Sequence, residues 1–350
     1  MNRDEAAAWV IGAVGVFGSA LGWVFAPARF HYAWLAALFV WLGWPLGSMA
    51  GLFVHALTGG QWGTAIRPAL LAGVCTTPLL LPAIVPYILS AHALYPWLDP
   101  RVSATLPNRF YLNAPFLAGR GGVYVVAWLV LAALIAFALR RAAPAIVLAR
   151  LAPPGLIILS VTVTFAVIDL TLAQDPRFLS SAYGMITAAS FGLFALAIAA
   201  MASAPLIDDR EVLADVAKLM LALVLLWAYL EFMQVLIIWE SDLANESPWY
   251  IARTSHGWGA VAVAIAVCHF ALPFLLLLSP GVQRSRFWVS SIAAMLIAIE
   301  IVRGWWLVLP YVHLGVGPVD VMAMLAMGGL AGGVALRAGR AFLHPMARHG

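Results

Sequence analysis

Charge is what the sequence has least of. Only 10% of its 350 residues are Asp, Glu, Lys or Arg, against roughly 25% in an ordinary soluble domain, and so large a deficit excludes a chain whose surface is solvated by water. Cysteine is almost missing too. Cys75 and Cys268 both sit inside apolar runs and form no Cys-x-x-Cys pair, so neither a metal cluster nor a covalently attached haem is signalled, and packing is the role expected of them. No P-loop, zincin motif, nucleophile elbow or dinucleotide fingerprint occurs, so chemistry, if any, is expected to come from a partner. Lys and Arg exceed Asp and Glu by 19 to 15, a balance that does not point to nucleic acid.

What is present in excess is apolar residue, 64% of the chain, with a mean hydropathy of +0.97. It is spread along nearly the whole length instead of being gathered into one core, which makes lipid the expected solvent. Runs of about 20 residues, long enough to cross ~30 Å of hydrocarbon, fall near 6–27, 33–57, 67–94, 120–140, 154–173, 180–204, 214–239, 256–279, 287–310 and 318–338. The expected fold is all-α: one polytopic integral membrane domain over 1–350 with about ten transmembrane helices. The first run ends in the small residues around Ala26 and Ala28, as a signal peptide might, but Asp4 and Glu5 precede it and it is long for such a segment, so it reads as a helix.

Twelve bases fall on the side of the N-terminus and six on the other, with Arg303 left inside a span. By the positive-inside tendency both termini are expected in the cytoplasm. Trp23, Trp34, Trp97, Trp239, Trp249, Trp305 and Trp306 would then form an aromatic belt at the opposite interface. The two longest loops, about Tyr95–Gly119 and Glu240–Ser255, face that side too, and their aromatics and prolines suit a rigid lid, a docking surface or a cap over the helix ends. Gly43, Gly47 and Gly51, and the pairs Gly328/Gly332 and Gly329/Gly333, mark close helix packing. Pro78, Pro82 and Pro86 predict a bent or locally unwound third span, either shaping the bundle or bordering a polar cavity.

Ionisable groups inside spans cost about 2.5–3.5 kcal/mol each on insertion scales, so each needs a partner or a purpose. They are Asp169, Glu231, His269, Glu300 and Arg303. Glu300 and Arg303 are three apart, share a helix face and are expected to neutralise one another. Glu231 lies on a stripe with Trp227 and Gln234 and has no base nearby in sequence. It is either protonated or paired across helices, serving a proton path or a structural hydrogen bond. Among His31, His55, His92, His256, His269 and His313 only His269 is well inside a span, which argues against a pair of facing haem ligands.

From the third span to the ninth the residues become specific. His92, Leu94-Tyr95, Trp97, Tyr111-Leu112-Asn113, Pro115-Phe116 and Arg120 are followed by Ile168-Asp169-Leu170, Gln174-Asp175-Pro176-Arg177-Phe178 and Tyr183-Gly184. Then come Asp215 to Leu219, Trp227-Ala228-Tyr229, Gln234, Ile238-Trp239, Trp249-Tyr250, Arg253, Trp258 and His269 to Phe274. Their order and spacing resemble the ActF-type membrane subunit of alternative complex III, the bacterial quinol:cytochrome c oxidoreductase unrelated to cytochrome bc1 and related to the polysulfide-reductase type of membrane anchor. Arg177, Leu170 and Glu231 depart from that pattern, and the chain is short for it.

The resemblance implies a ten-helix subunit with four-helix bundles in the bacterial inner membrane. It implies no redox metal of its own, quinone as the cofactor class it could meet, and haem and iron–sulfur clusters in partner subunits only. Other membrane subunits are then its partners, and assembly surface and a proton path its roles, without a catalytic centre. Asp169, Asp175, Gln234, Arg253 and His269 fall on matched positions. Glu231, Glu300 and Arg303 are candidates on physical grounds alone. Two other readings stay open: a secondary transporter, although no counterpart to Pro78-Pro82-Pro86 occurs in the second half as inverted repeats would require, and a free-standing assembly protein for another respiratory complex.

Overall fold

Helix is the one local structure that lets a single strand of chain cross hydrocarbon with every backbone N–H and C=O paired internally. The computed structural model describes residues 2–106, 108–242 and 246–343. It is 86% helical, with no strand among the described residues. Ten helices are long and apolar enough to span a bilayer: Arg3–Phe25, Pro27–Thr58, Gln61–Leu94, Ala114–Leu139, Pro144–Gln174, Tyr183–Leu206, Arg210–Ser241, Trp258–Leu277, Arg286–Val312 and Pro318–Arg340. They are called the first to tenth spans below, and the side opposite the N-terminus is called the far side. Their starts are written in the sequence. Asn2, Asn113, Asp209 and Ser285 accept the N–H of Glu5, Phe116, Glu211 and Trp288 respectively, and Pro27, Pro144 and Pro318 open their helices where a missing N–H costs nothing.

The second span is the axis of the molecule, packed against the first, third, fifth, sixth, ninth and tenth. Spans two to five form one group of four and spans six to nine another, and the two groups meet along the second, third and fifth on one side and the sixth and ninth on the other. Close approach is licensed by glycine: a Cβ on Gly47 would run into the backbone carbonyl of Phe191 in the sixth span, and Gly43 rests on the same ring. The first and tenth spans pack on one another at the periphery. Gly12, Gly15, Gly18 and Gly22 of the first lie against Leu330, Ala326, Met322 and Val319 of the tenth, where Gly329 and Gly333 reply, while Gly328 faces open space. An ion pair clamps each end of this region: Glu5 with Arg340, and Asp320 with Arg29 at 2.6 Å.

The third span is interrupted, but not evenly by its three prolines. The α-helix stops at Val74, a single 3-10 turn covers Thr77–Leu79, and α-helix resumes at Leu80 straight through Pro82 and Pro86. Pro78 has no N–H to give the carbonyl of Val74, and the Thr77 hydroxyl donates to that carbonyl instead at 2.7 Å, while Thr76 does the same for Gly73.

Two expectations are corrected. The fourth span begins at Ala114, not near residue 120, because Asn113 caps it and Pro115 suits its first turn; Arg120 therefore lies inside a helix and not in a loop. The aromatic belt is mostly not a belt. Trp239 is 76% exposed and does face outward, but Trp34, Trp97, Trp249 and Trp306 are buried. Trp34, Trp97 and Trp306 donate their indole N–H to the carbonyls of Ala83, Ala173 and Arg253, which makes them staples between elements.

Gly15→Val should push the first span off the tenth and lower the unfolding free energy in detergent by about 1–3 kcal/mol, as overpacking does, whereas Gly328→Val, into open space, should leave it unchanged. Equal effects in a thermal-shift assay would contradict the packing described.

Candidate functional site

Among the described residues, ion pairs buried on both partners occur in two places. The first is built on Asp169 at the end of the fifth span. Arg120 grips its carboxylate with a two-point fork, Nε to Oδ2 at 2.9 Å and Nη2 to Oδ1 at 2.7 Å, and the Tyr124 hydroxyl donates to Oδ2 at 3.0 Å. The third guanidinium nitrogen donates to the carbonyl of Tyr111, whose ring covers the Arg120 guanidinium at 3.8 Å. One arginine thus fastens the loop before the fourth span to the helix ends beneath it. Beside the pair Tyr95 donates to the carbonyl of Leu170 at 2.9 Å and meets the Tyr87 hydroxyl at 3.0 Å.

Against this pair lies a cavity of about 540 Å³ between the second, third, fourth and fifth spans. Leu42, Leu80, Ile84 and Trp128 make most of its wall apolar, and Tyr87, His92, Tyr124 and Asp169 bring polar atoms to one end. Ile88 and Val126, both exposed, stand at its opening between the third and fourth spans.

The second cluster occupies the other group of four. Arg303 and Glu300, three residues apart on the ninth span, pair at 3.0 Å. His269, from the eighth span, approaches the other oxygen of Glu300 with Nε2 at 3.2 Å, and Arg303 donates to the Ser190 hydroxyl of the sixth span at 3.1 Å. All three ionisable groups are buried at 1% exposure, so the charges are matched within the protein or not at all. His269 is presented by a six-residue π-helical stretch, Ala266–Ala271, just ahead of Pro273, a local widening of the helix of the kind that re-aims a side chain. The Trp227 ring packs edge-on to the imidazole, 4.0 Å between centroids. Trp227 Nε1, His269 Nδ1, Glu300 Oε2 and Arg303 Nη2 have no hydrogen-bond partner among the described residues, four buried polar atoms in one spot with capacity to spare.

Above this cluster, toward the far side, polar contacts continue. Gln234 donates to the Tyr250 hydroxyl at 2.8 Å and accepts from Ser180, and Tyr183 meets Thr171 at 2.6 Å. Arg253, on the short helix Ser247–Thr254 outside the spans, stacks on Trp249 at 3.5 Å and donates to the carbonyls of Trp249 and Leu307. Burial pulls its guanidinium down to about 9, which leaves it charged near neutral pH. Phe178 stacks on the other side of Trp249 at 4.6 Å. Asp175 is buried and closes on Arg177, which stands out into solvent. Toward the N-terminal side the facing residues turn apolar: Phe194 and Ala197 of the sixth span, Val224 and Met220 of the seventh, Leu296 and Ala293 of the ninth.

The candidate residues are therefore distributed as follows. His269, Glu300 and Arg303 meet; Gln234, Asp175 and Arg253 belong to the layer that covers them; Asp169 belongs to the other group of four. Glu231 joins neither, and makes no hydrogen bond or ion pair with any described residue. Arg120 and Ser190 are the partners that sequence alone does not expose. Arg120 was legible in part, since the Asn113-Ala114-Pro115 start signal places it a turn and a half inside a helix; nothing in the sequence singles out Ser190. His256 and His313, far apart in sequence, come within 5.6 Å ring to ring at the far surface, but no group of three or more His, Cys, Asp or Glu able to hold a metal occurs among the described residues.

Asp169→Ala should destabilise the chain by about 3–5 kcal/mol, because it strands a buried guanidinium, and Asp169→Leu combined with Arg120→Leu should recover most of that loss. Chemical denaturation in detergent distinguishes the two; a double variant as unstable as the single one would show that the pair does more than neutralise itself.

Compared with known proteins, the chain matches no family model and no curated protein.

Proposed function

We propose that this chain is a membrane subunit of a respiratory quinol:cytochrome c oxidoreductase of the alternative complex III type, set in a bacterial inner membrane with both termini in the cytoplasm, and that its part is to carry protons and not electrons. Haem and iron–sulfur clusters belong, in this reading, to partner subunits. The observation that carries it is the His269–Glu300–Arg303 cluster. A scaffold gains nothing from three ionisable groups in its interior, since well-packed apolar residues there are commonly as stable or more so. A proton carrier needs them: a carboxylate between an imidazole and a guanidinium, with buried donors free to hold water, can take up a proton and return it, the cluster passing from neutral to one positive charge that is held among protein groups and not exposed to lipid. The layer of Gln234, Ser180, Tyr250, Tyr183 and Thr171 offers hydroxyls and an amide between the cluster and the far surface, so proton exchange is expected on that side. The order and spacing of the motif residues support the same assignment, and Gln234, Arg253 and His269, all matched positions, lie in the cluster or its cover.

A second role rests on the cavity beside Asp169. Its volume and its apolar wall with polar groups at one end suit a membrane-borne ligand with a small polar head, and in such a complex quinone is that ligand. Gly121→Phe, which fills the cavity, should deplete quinone extracted with the purified complex to background; undiminished quinone would remove this role while leaving the proton role untouched.

Membership of the complex is tested by isolating the tagged chain from its native membrane in mild detergent. Multihaem cytochrome and iron–sulfur subunits should accompany it, with a reduced-minus-oxidised haem spectrum. A chain that emerges alone and without haem would favour a transporter or a free-standing assembly protein.

A further inference from the structure

His256 and His313 stand on separate far-side connections, the first between the short helix Ser247–Thr254 and the eighth span, the second between the ninth span and the tenth. Both side chains are exposed, and their rings lie 5.6 Å apart, centroid to centroid, at 65° to one another. Among the described residues His31 and His55 engage a ring nitrogen with Ser90 and with the Gly60 carbonyl, whereas His256 and His313 make no hydrogen bond and keep their nitrogens available. The backbone at both positions is unusual. Three non-glycine residues with positive φ occur among the described residues, and two of them are this pair, His256 at 53° and His313 at 55°. Glycine adopts that left-handed conformation freely, as Gly257 does next door; a histidine there carries a steric cost, which points to a use for its side chain. The two connections are also fastened to one another. Trp258 donates its indole N–H to the carbonyl of Leu314 at 3.2 Å, Trp306 donates to that of Arg253 at 2.9 Å, and the Arg253 guanidinium donates to that of Leu307. Staples on both flanks set the separation of the two histidines before anything binds.

Two imidazoles held in this way suit a cation that binds nitrogen. At a metal–nitrogen distance of about 2.0–2.1 Å the metal lies about 3.2 Å from each ring centre, so a tetrahedral angle at the metal sets the two centres about 5.2 Å apart. The observed 5.6 Å exceeds that by less than about half an ångström, and two exposed rings that rotate about their χ angles can turn a nitrogen of each to a common point. No third His, Cys, Asp or Glu joins the pair among the described residues. A donor set without carboxylates disfavours Ca²⁺ and Mg²⁺, which take oxygen ligands, and favours zinc, nickel and copper. We propose that His256 and His313 form a two-imidazole site for a divalent cation of the zinc, nickel and copper group, with water in its remaining positions, and that the bound cation clamps the entry of the eighth span to the exit of the ninth. The site is independent of the assignment to a respiratory complex, because both of its ligands belong to this chain.

The test is cation binding by the full-length chain, purified in detergent through a tag that contains no histidine, with Zn²⁺ and Cu²⁺ as the probes. In calorimetric titration with Zn²⁺ the wild-type chain should show a site that His256→Asn and His313→Asn each weaken at least about tenfold, since even loss of an outer-shell partner commonly costs 10–100-fold. Asparagine tolerates the left-handed backbone, so these variants keep the fold, and comparison with wild type cancels binding by other histidines. Mg²⁺ and Ca²⁺ at the same concentration should not compete. Zn²⁺ should also raise the thermal unfolding midpoint of the wild-type chain and not that of either variant, because a ligand stabilises only the state that binds it. Wild-type protein supplies an arm that needs no variant: the paramagnetic resonance spectrum of the chain with one equivalent of Cu²⁺, the ion such sites hold most tightly, should show coupling to two nitrogen nuclei. Zinc affinity indifferent to either replacement, a site lost with one replacement and kept with the other, competition by Mg²⁺, a midpoint that Zn²⁺ leaves unmoved, or a copper spectrum with fewer than two coupled nitrogens would each overturn the proposal.

Discussion

A charge placed in hydrocarbon must find its complement inside the protein, and this single requirement arranges most of what is distinctive in the molecule. Fifteen acids in 350 residues leave few to place, and two that are buried within the spans reach partners on neighbouring helices: Asp169 on the fifth span meets Arg120 on the fourth, and Glu300, besides its pair with Arg303 on its own helix, meets His269 on the eighth. Each pairing joins helices that packing alone would join weakly, because lipid tails compete with apolar side chains on equal terms. The same requirement applies at the ends, where Asp320 draws in Arg29 and Glu5 draws in Arg340. Small residues let backbones approach, and matched charges decide which backbones those are.

The helical, membrane-spanning character was legible from composition, since no other fold can accommodate so little charge and so long a series of apolar runs. Helix ends were less legible. Hydropathy marks the hydrocarbon layer and not the helix, and the seventh span runs for 32 residues where a run over 214–239 was expected. The caps at Asn113 and Asp209 record the true starts and outrank hydropathy there. Tryptophan misled for a related reason: an indole near a helix end can anchor in the interface or bury its ring and donate inward, and only tertiary contacts separate Trp239 from Trp34, Trp97 and Trp306.

Of the candidate site, the Glu300–Arg303 pair could be read from spacing along one helix. His269 could be identified as unusual but not assigned a partner, because its contact with Glu300 is made between helices and depends on the π-helical turn that aims it. Glu231 and Gln234 share a stripe in sequence, yet among the described residues only Gln234 finds hydrogen-bond partners, in Ser180 and Tyr250. A helical stripe fixes angle about one axis; which neighbour meets each residue is set by helices many residues away.

Function rests on where these groups lie in depth. The His269–Glu300–Arg303 cluster stands beneath a layer of hydroxyl and amide groups on one side and apolar side chains on the other, so its account as a proton carrier turns on Glu300, the acid common to both pairings. The decisive measurement is proton release per electron in sealed vesicles containing the complete complex with Glu300→Gln in this chain, alongside quinol oxidation by the same vesicles. The account predicts an assembled complex that still oxidises quinol while releasing fewer protons; proton release at the wild-type ratio, with the complex intact, would contradict it.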